Sequence, residues 1–241
     1  MIHAILFDMG GTLDGDGLHW LDRFVTLYAE AGVQPPRDTL RDAFDEAERR
    51  AAVDEAIARS PLDQMIERHV GWQLEDLTAR GVRLQPDLAG LRRHLVESFV
   101  GGVRAAAAAN VRILADLSAR GFRLGVVSNG CGNVDVLCAD LGYARFLSAI
   151  VDSRRVGLYK PDPAIFIYAA AKLGVRPSNA MMVGDSFDRD IRPAKSVGMT
   201  TAWLEGPVRR ECADPSLSDI RLRALAELPA ALETASQVSA R

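Results

Sequence analysis

Lysine is almost missing from this chain of 241 residues. Of its 29 basic residues only Lys160, Lys172 and Lys195 are lysines. Arginine carries the surface charge, so each lysine invites a chemical reason, and Lys160 finds one in its neighbours. Cysteine is scarce as well: Cys131, Cys138 and Cys212 form an odd set with no C-x-x-C pair. That excludes a thiolate zinc site of ordinary spacing, argues against a disulfide framework, and fits a reducing cytoplasm. Apolar runs such as Ala105–Ala109 fall far short of the ~20 residues that cross a bilayer. The basic segment, apolar stretch and small-residue cleavage site of a secretory leader are missing too. With a net charge of -3 there is no positive excess, and neither nucleic acid nor an anionic membrane is expected as a partner. What remains, 48% hydrophobic and 25% charged, is an ordinary globular composition long enough to bury a full core.

Short apolar segments bounded by turns recur along the chain and read as buried strands. They are Ala4–Phe7, Arg123–Val127, the weaker Leu147–Val151, Ala180–Val183 and Thr200–Leu204. Helical patterns separate the later ones: Val111–Arg120 before Gly121, Pro163–Leu173 before Gly174, and Pro193–Val197 before Gly198. Strand–helix alternation predicts an α/β fold, a parallel sheet wrapped by helices. The region from Leu18 to Gly102 breaks the alternation. It is rich in Ala, Leu, Arg and Glu, and predicts helices at Trp20–Ala31, Asp38–Ala58, Leu62–Arg80 and Asp87–Glu97. The expected division is a core of residues 1–16 and 103–241 and a helical insert of residues 17–102, standing over the site as a lid. Ala105–Ala109 reads as the start of the helix re-entering the core. The aromatic residues Trp20, Phe24, Tyr28, Trp72 and Phe99 read as the insert's own core. His69 and His94, with no partner at metal-ligand spacing, read as surface or satisfied positions.

In parallel α/β sheets, ligands bind beyond the carboxyl ends of strands. Asp8, Ser128, Lys160 and Asp185 all fall at or near such ends, with Asp190 close behind. An aspartate can attack phosphorus. A lysine can hold a phosphate and offset nearby carboxylates. Ser128 and the amides of the Gly10–Thr12 turn can donate to phosphoryl oxygens. Asp8, Asp185 and Asp190 make an oxygen-rich set suited to Mg²⁺. Asp188 reads as a solvated loop acid.

In this order the segments resemble the haloacid dehalogenase (HAD) superfamily of hydrolases. Its pattern is strand-D-x-D-x-T, strand-S/T, a lysine, then strand-GD with a further Asp. Here these are Asp8-Met-Gly10-Gly-Thr12, Val-Val-Ser128-Asn-Gly, Gly-Leu-Tyr-Lys160-Pro-Asp-Pro, and Gly184-Asp185-Ser-Phe-Asp-Arg-Asp190. The resemblance covers residues 1–16 and about 105–225. It implies a Rossmann-like sheet, with the insert where the family places a C1-type helical cap. It also implies hydrolysis of a small phosphorylated metabolite through an aspartyl-phosphate. Asp8 would be nucleophile and metal ligand, with Ser128 and Lys160 as further catalytic groups. Gly11, Thr12, Ser128, Asn129 and Lys160 would bind substrate, and Asp8, the Gly10 carbonyl, Asp185 and Asp190 would bind Mg²⁺.

One position departs from the pattern. Family phosphatases carry a second aspartate where this chain has Gly10; it protonates the leaving alkoxide and later activates water. Losing such a group costs about 10²–10⁴-fold. Three readings follow: a narrow phosphatase favouring good leaving groups, a phosphotransfer protein with a long-lived phospho-Asp8, or a binding module. Asp14, Asp16 and His19 are the nearby candidates for a substitute acid, though as turn and helix-start residues they have a simpler role. The intact Asp185/Asp190 group argues for metal and against dehalogenation. The lysine-free insert excludes Schiff-base chemistry from a cap lysine.

Overall fold

The computed structural model describes residues 1–207 and 214–238; Cys212 lies outside them. The strands β1 (Ala4–Phe7), β2 (Arg123–Ser128), β3 (Leu147–Asp152), β4 (Ala180–Gly184), β5 (Thr200–Leu204) and β6 (Ile220–Leu222) form one parallel sheet in the order β3-β2-β1-β4-β5-β6. The α/β expectation holds. β1 lies at the centre, and β4 leaves the opposite side of it from β2, so the strand order reverses there. Such a switch point leaves a crevice at the carboxyl edge.

Side chains alternate across β1, as the period of a strand requires. Ile5 and Phe7 join one apolar cluster with Leu124, Val126, Met181 and Val183, while Ala4 and Leu6 join another with Ile165, Phe166 and Met182. The sheet is buried on both faces, which explains why its strands read as continuous apolar runs.

The helices between β1 and β2 are α1 (Trp20–Glu30), α2 (Arg37–Val53), α3 (Leu62–Ala79) and α4 (Leu88–Ala119). α2 stops before the expected Ala58. Asp54 adopts an extended conformation, and its Oδ1 accepts from Ala56 N at 2.7 Å and Ile57 N at 3.1 Å. That local turn competes with a further helical turn. In contrast, Asp87–Glu97 and Val111–Arg120 are one helix, capped by Asp87 at its start. Gly101 and Gly102 sit within it, and the alanine run that follows is the strongest helix-forming stretch available. The expected division at 102/103 falls in the middle of α4. Its first half packs on α1 and α3, and its second half packs on the sheet through Ala107, Leu114 and Leu117.

The remaining helices flank the sheet: α5 (Val134–Asp140), α6 (Ser153–Val156), α7 (Pro163–Lys172), α8 (Arg192–Ser196) and α9 (Leu228–Val238). Trp20, Phe24, Tyr28 and Phe99 are buried, with Trp20–Phe99 and Phe24–Phe99 ring centroids 5.1 and 4.5 Å apart, while Trp72 is half-buried against the same cluster. No helix among the described residues is long and apolar enough to cross a membrane.

Candidate active site

Asp8 follows the last residue of β1, and the chain turns sharply through Met9–Leu13. Gly11 makes the turn possible. Its φ is +87°, and a Cβ there would stand 2.8 Å from Asp185 Oδ2. Only glycine satisfies both conditions cheaply. Thr12 is fully buried, and its hydroxyl accepts from Asp185 N at 3.1 Å and lies 3.4 Å from Asp185 Oδ1. Thr12 thus ties the first loop to the acid after β4.

Lys160 is the centre of the arrangement. Its Nζ donates to Asp8 Oδ1 at 2.6 Å and to Asp190 Oδ1 at 2.7 Å, with all three side chains at least nine-tenths buried. Asn129 holds this residue by its backbone. Asn129 Oδ1 accepts from Lys160 N at 2.8 Å, and its Nδ2 donates to Lys160 O at 2.9 Å. Asp190 Oδ2 accepts from Ser186 N at 3.1 Å. Lys172 and Lys195 have ordinary settings, over the Tyr168 ring and beside Asp219.

Ligating oxygens of Asp8, Asp185 and Asp190 lie within 4.8 Å of one another. Lys160 supplies one positive charge against these three carboxylates. Burial pushes the Asp190 carboxyl up to about 7, against the pull of Lys160 and with the push of Asp8 and Asp185. Burial opposes charge on Lys160 as well, but Asp190 and Asp8 outweigh it and raise its pKa. An all-oxygen set with surplus negative charge suits a hard divalent cation such as Mg²⁺, which takes few carboxylates and keeps several waters.

Replacing Lys160 with Met checks this reading of the charges. Removing one partner from a buried ionic group costs about 3–5 kcal/mol. At ~2–4 °C per kcal/mol for a chain of this size, the melting temperature should fall by roughly 6–20 °C at pH 8. A carboxyl raised on folding contributes stability that is whole below its unfolded pKa and is lost as pH rises through its folded one. The deficit in K160M should therefore shrink at pH 5.5, and Mg²⁺ should restore part of it by mass action. Thermal unfolding at both pH values, with and without Mg²⁺, measures all three effects.

A cleft of about 460 Å³ opens above these groups. Asp8, Gly10, Ser128, Asn129 and Lys160 line its floor, and His19, Arg41, Phe44, Asp45, Glu48 and Met65 line the side formed by the start of α1, α2 and α3. Gly10 has φ -72° and ψ 114°, a region open to any residue, and a Cβ there would meet nothing within 4 Å.

The three substitute-acid candidates separate. Asp14 is buried at the cleft, its Oδ1 accepting from Gly11 N at 2.6 Å and its Oδ2 from Trp20 Nε1 at 2.8 Å. Burial pushes its carboxyl up to about 7, while those two donors pull it down. It ties the first loop to α1. Asp16 accepts from Leu225 N at 2.6 Å and is not among the lining residues. His19 Nδ1 caps α1, and its Nε2 lies 3.3 Å from Arg189 Nη2 at the cleft. Asp188 is exposed beside Arg192, and His94 is exposed. His69 is fully buried and satisfied on both nitrogens, by Glu48 at 2.9 Å and Gln73 at 2.8 Å.

The family model of the haloacid dehalogenase-like hydrolases matches residues 2–198. The chain belongs to that family. Among its relatives, a glyceraldehyde 3-phosphate phosphatase of Methanopyrus kandleri is 43% identical over 92 residues, 38% of this chain and 40% of that protein. A phosphoserine phosphatase of Thermus thermophilus is 35% identical over 117 residues, 48% of this chain and 46% of that protein. Each match thus spans less than half of the relative's length. Among solved structures, a HAD phosphatase from Thermococcus onnurineus superposes with a TM-score of 0.54 at 22% identity, over 96% of this chain and 98% of that one. The L-2-haloacid dehalogenase of Xanthobacter autotrophicus gives 0.60 at 18%, over 97% and 99%. At these identities the superpositions show the shared fold of this HAD chain.

Proposed function

We propose that this HAD chain is a cytoplasmic phosphatase of a small phosphorylated metabolite, using Mg²⁺ and an aspartyl-phosphate on Asp8. The observation that carries the reading is the buried set of Asp8, Asp185 and Asp190, in which Lys160 bridges Asp8 and Asp190, with Asp8 and Lys160 lining an open cleft. The phosphatases among its relatives support it.

In this reading Asp8 Oδ attacks phosphorus, a P–O bond to the Asp8 carboxylate forms, and the P–O bond to the leaving group breaks. The leaving oxygen takes its proton from solvent, because Gly10 has none to give. Water then attacks the phosphorus of phospho-Asp8, frees the carboxylate, and loses a proton as inorganic phosphate departs. Ser128 and Lys160 hold the phosphoryl oxygens. Thr12 and Asn129 keep Asp185 and Lys160 in place. Asp8, Asp185, Asp190 and the Gly10 carbonyl would hold Mg²⁺, which when bound shields an anionic substrate from an anionic nucleophile. Residues 17–102 serve as the cap, of C1 type, and close the substrate's side of the cleft.

Incubation with Mg²⁺ and acetyl phosphate tests the proposal. Intact mass and free phosphate are followed together. Steady phosphate release is the expected result. A persistent phosphoryl adduct with little release would make the chain a phosphotransfer protein, and the absence of both would leave it a binding module.

A further inference from the structure

The charged residues of α2 divide into two sets. Several of those turned to other helices or solvent are paired: Asp42 with Arg80, Glu46 with Arg50, and Arg50 with Glu75. Those at i, i+4 and i+7 along the cleft, Arg41, Asp45 and Glu48, behave otherwise. Arg41 and Asp45 make no hydrogen bond or ion pair among the described residues. Glu48 is anchored from behind. Its Oε1 accepts from His69 Nε2, since a carboxylate without a proton can only accept. His69 is in turn fixed at Nδ1 by Gln73, inside the ring cluster of Phe24 and Phe44. Glu48 keeps a side chain 39% exposed at the cleft. Desolvation raises its carboxyl, but the His69 bond and the nearness of His69, His19 and Arg189 outweigh this and hold it below the usual range.

A fixed carboxylate and an uncommitted guanidinium, one and a half to two helical turns apart on the wall above Asp8, form a recognition pair. We propose that Arg41 and Glu48 determine specificity by selecting a substrate whose non-phosphate part carries both a carboxylate and an N–H or O–H donor. Arg41 takes the carboxylate, in the charge-assisted geometry guanidinium favours. Glu48 takes the donor, and His69 is a positioning residue for Glu48. The inference rests on the phosphatase reading for the place of the phosphate.

Inhibition constants against acetyl phosphate turnover test it, since they report recognition without asking for a good leaving group. The probes are ethyl phosphate, phosphoglycolate, phosphoethanolamine, phosphoglycerate and phosphoserine. Each matching group should tighten binding about tenfold over ethyl phosphate, and the last two should bind tightest; comparing them tells hydroxyl from ammonium. Arg41→Gln should erase the advantage of the carboxylate probes, and Glu48→Gln that of the donor probes. His69→Phe should weaken donor probes more than phosphoglycolate, a selectivity that loss of packing alone would not produce. Equal inhibition by all five probes, with acetyl phosphate still hydrolysed, overturns the inference and leaves the phosphatase reading standing. No hydrolysis of acetyl phosphate removes that reading, and this inference with it.

Discussion

Asp8→Asn should lose acetyl phosphate turnover by on the order of 10⁴-fold or more, the scale on which nucleophile deletions act, without losing its fold. The second half of this expectation makes the first one decisive. In the native chain Lys160 Nζ donates to Asp8 Oδ1 at 2.6 Å and to Asp190 Oδ1 at 2.7 Å, and Asp185 crowds the same two carboxylates. An asparagine at position 8 can present its carbonyl oxygen to the same donor. It also removes one of the negative charges whose crowding raises the Asp190 carboxyl. The apo melting temperature of D8N should therefore match or exceed that of the native chain. Its stabilisation by Mg²⁺ should shrink, because one ligand has lost its charge. Phosphate release and calorimetry on the same preparation separate the outcomes. Loss of activity with an intact melt supports a nucleophile. Retained activity would move the chemistry to another residue, and loss of both would make Asp8 a folding residue.

The sheet and the floor of the site were legible because their signals are local. Strands buried on both faces read as apolar runs, and Asp8, Ser128 and Asp185 stand at or directly after the ends of β1, β2 and β4, whereas Lys160 comes eight residues after β3, beyond α6. Lys160 stood out because the chain hardly uses lysine, and it proves buried between two carboxylates. The continuity of α4 was hidden by Gly101-Gly102, whose low propensity is overridden by packing at both ends of the helix. The strand β6 is three residues long and α5 seven, too short to show a period.

The wall that α2 gives the cleft was hidden for a different reason. Arg41, Asp45 and Glu48 have the spacing of a solvated helix face, and only the tertiary fold shows that this face borders the cleft. Arg189 reaches His19 across 170 positions of sequence, a contact no local pattern encodes. His69 was expected to be satisfied or exposed, and it is satisfied, but its partner Glu48 turns a core histidine into support for the cleft. Of Asp14, Asp16 and His19, alike in sequence proximity, only the fold tells Asp16, bonded to Leu225 N, from the two at the cleft.

Gly10→Asp should raise turnover of alkyl phosphates by about 10²–10⁴-fold, the range that a general acid–base contributes, and raise that of acetyl phosphate far less. Position 10 is already shaped for a side chain. Its φ of -72° and ψ of 114° carry no strain for an L-residue, and a Cβ there meets nothing within 4 Å. Gly11, one position on, could not accept the same change: its φ is +87° and Asp185 fills the space. A carboxyl at position 10 would face the cleft beside Asp8, where neighbouring negative charge favours the protonated acid that a departing alkoxide needs. An acyl phosphate leaves as a stable carboxylate and has little use for that proton. The ratio of the two rates is therefore the diagnostic quantity, and it cancels any change in folding or metal affinity common to both substrates. A rise in the ratio would show that the chain holds every other part of a general phosphatase and lacks this one group. An unchanged ratio would mean that another side chain at the cleft already supplies the proton, and Asp14 and His19 would be the first to replace.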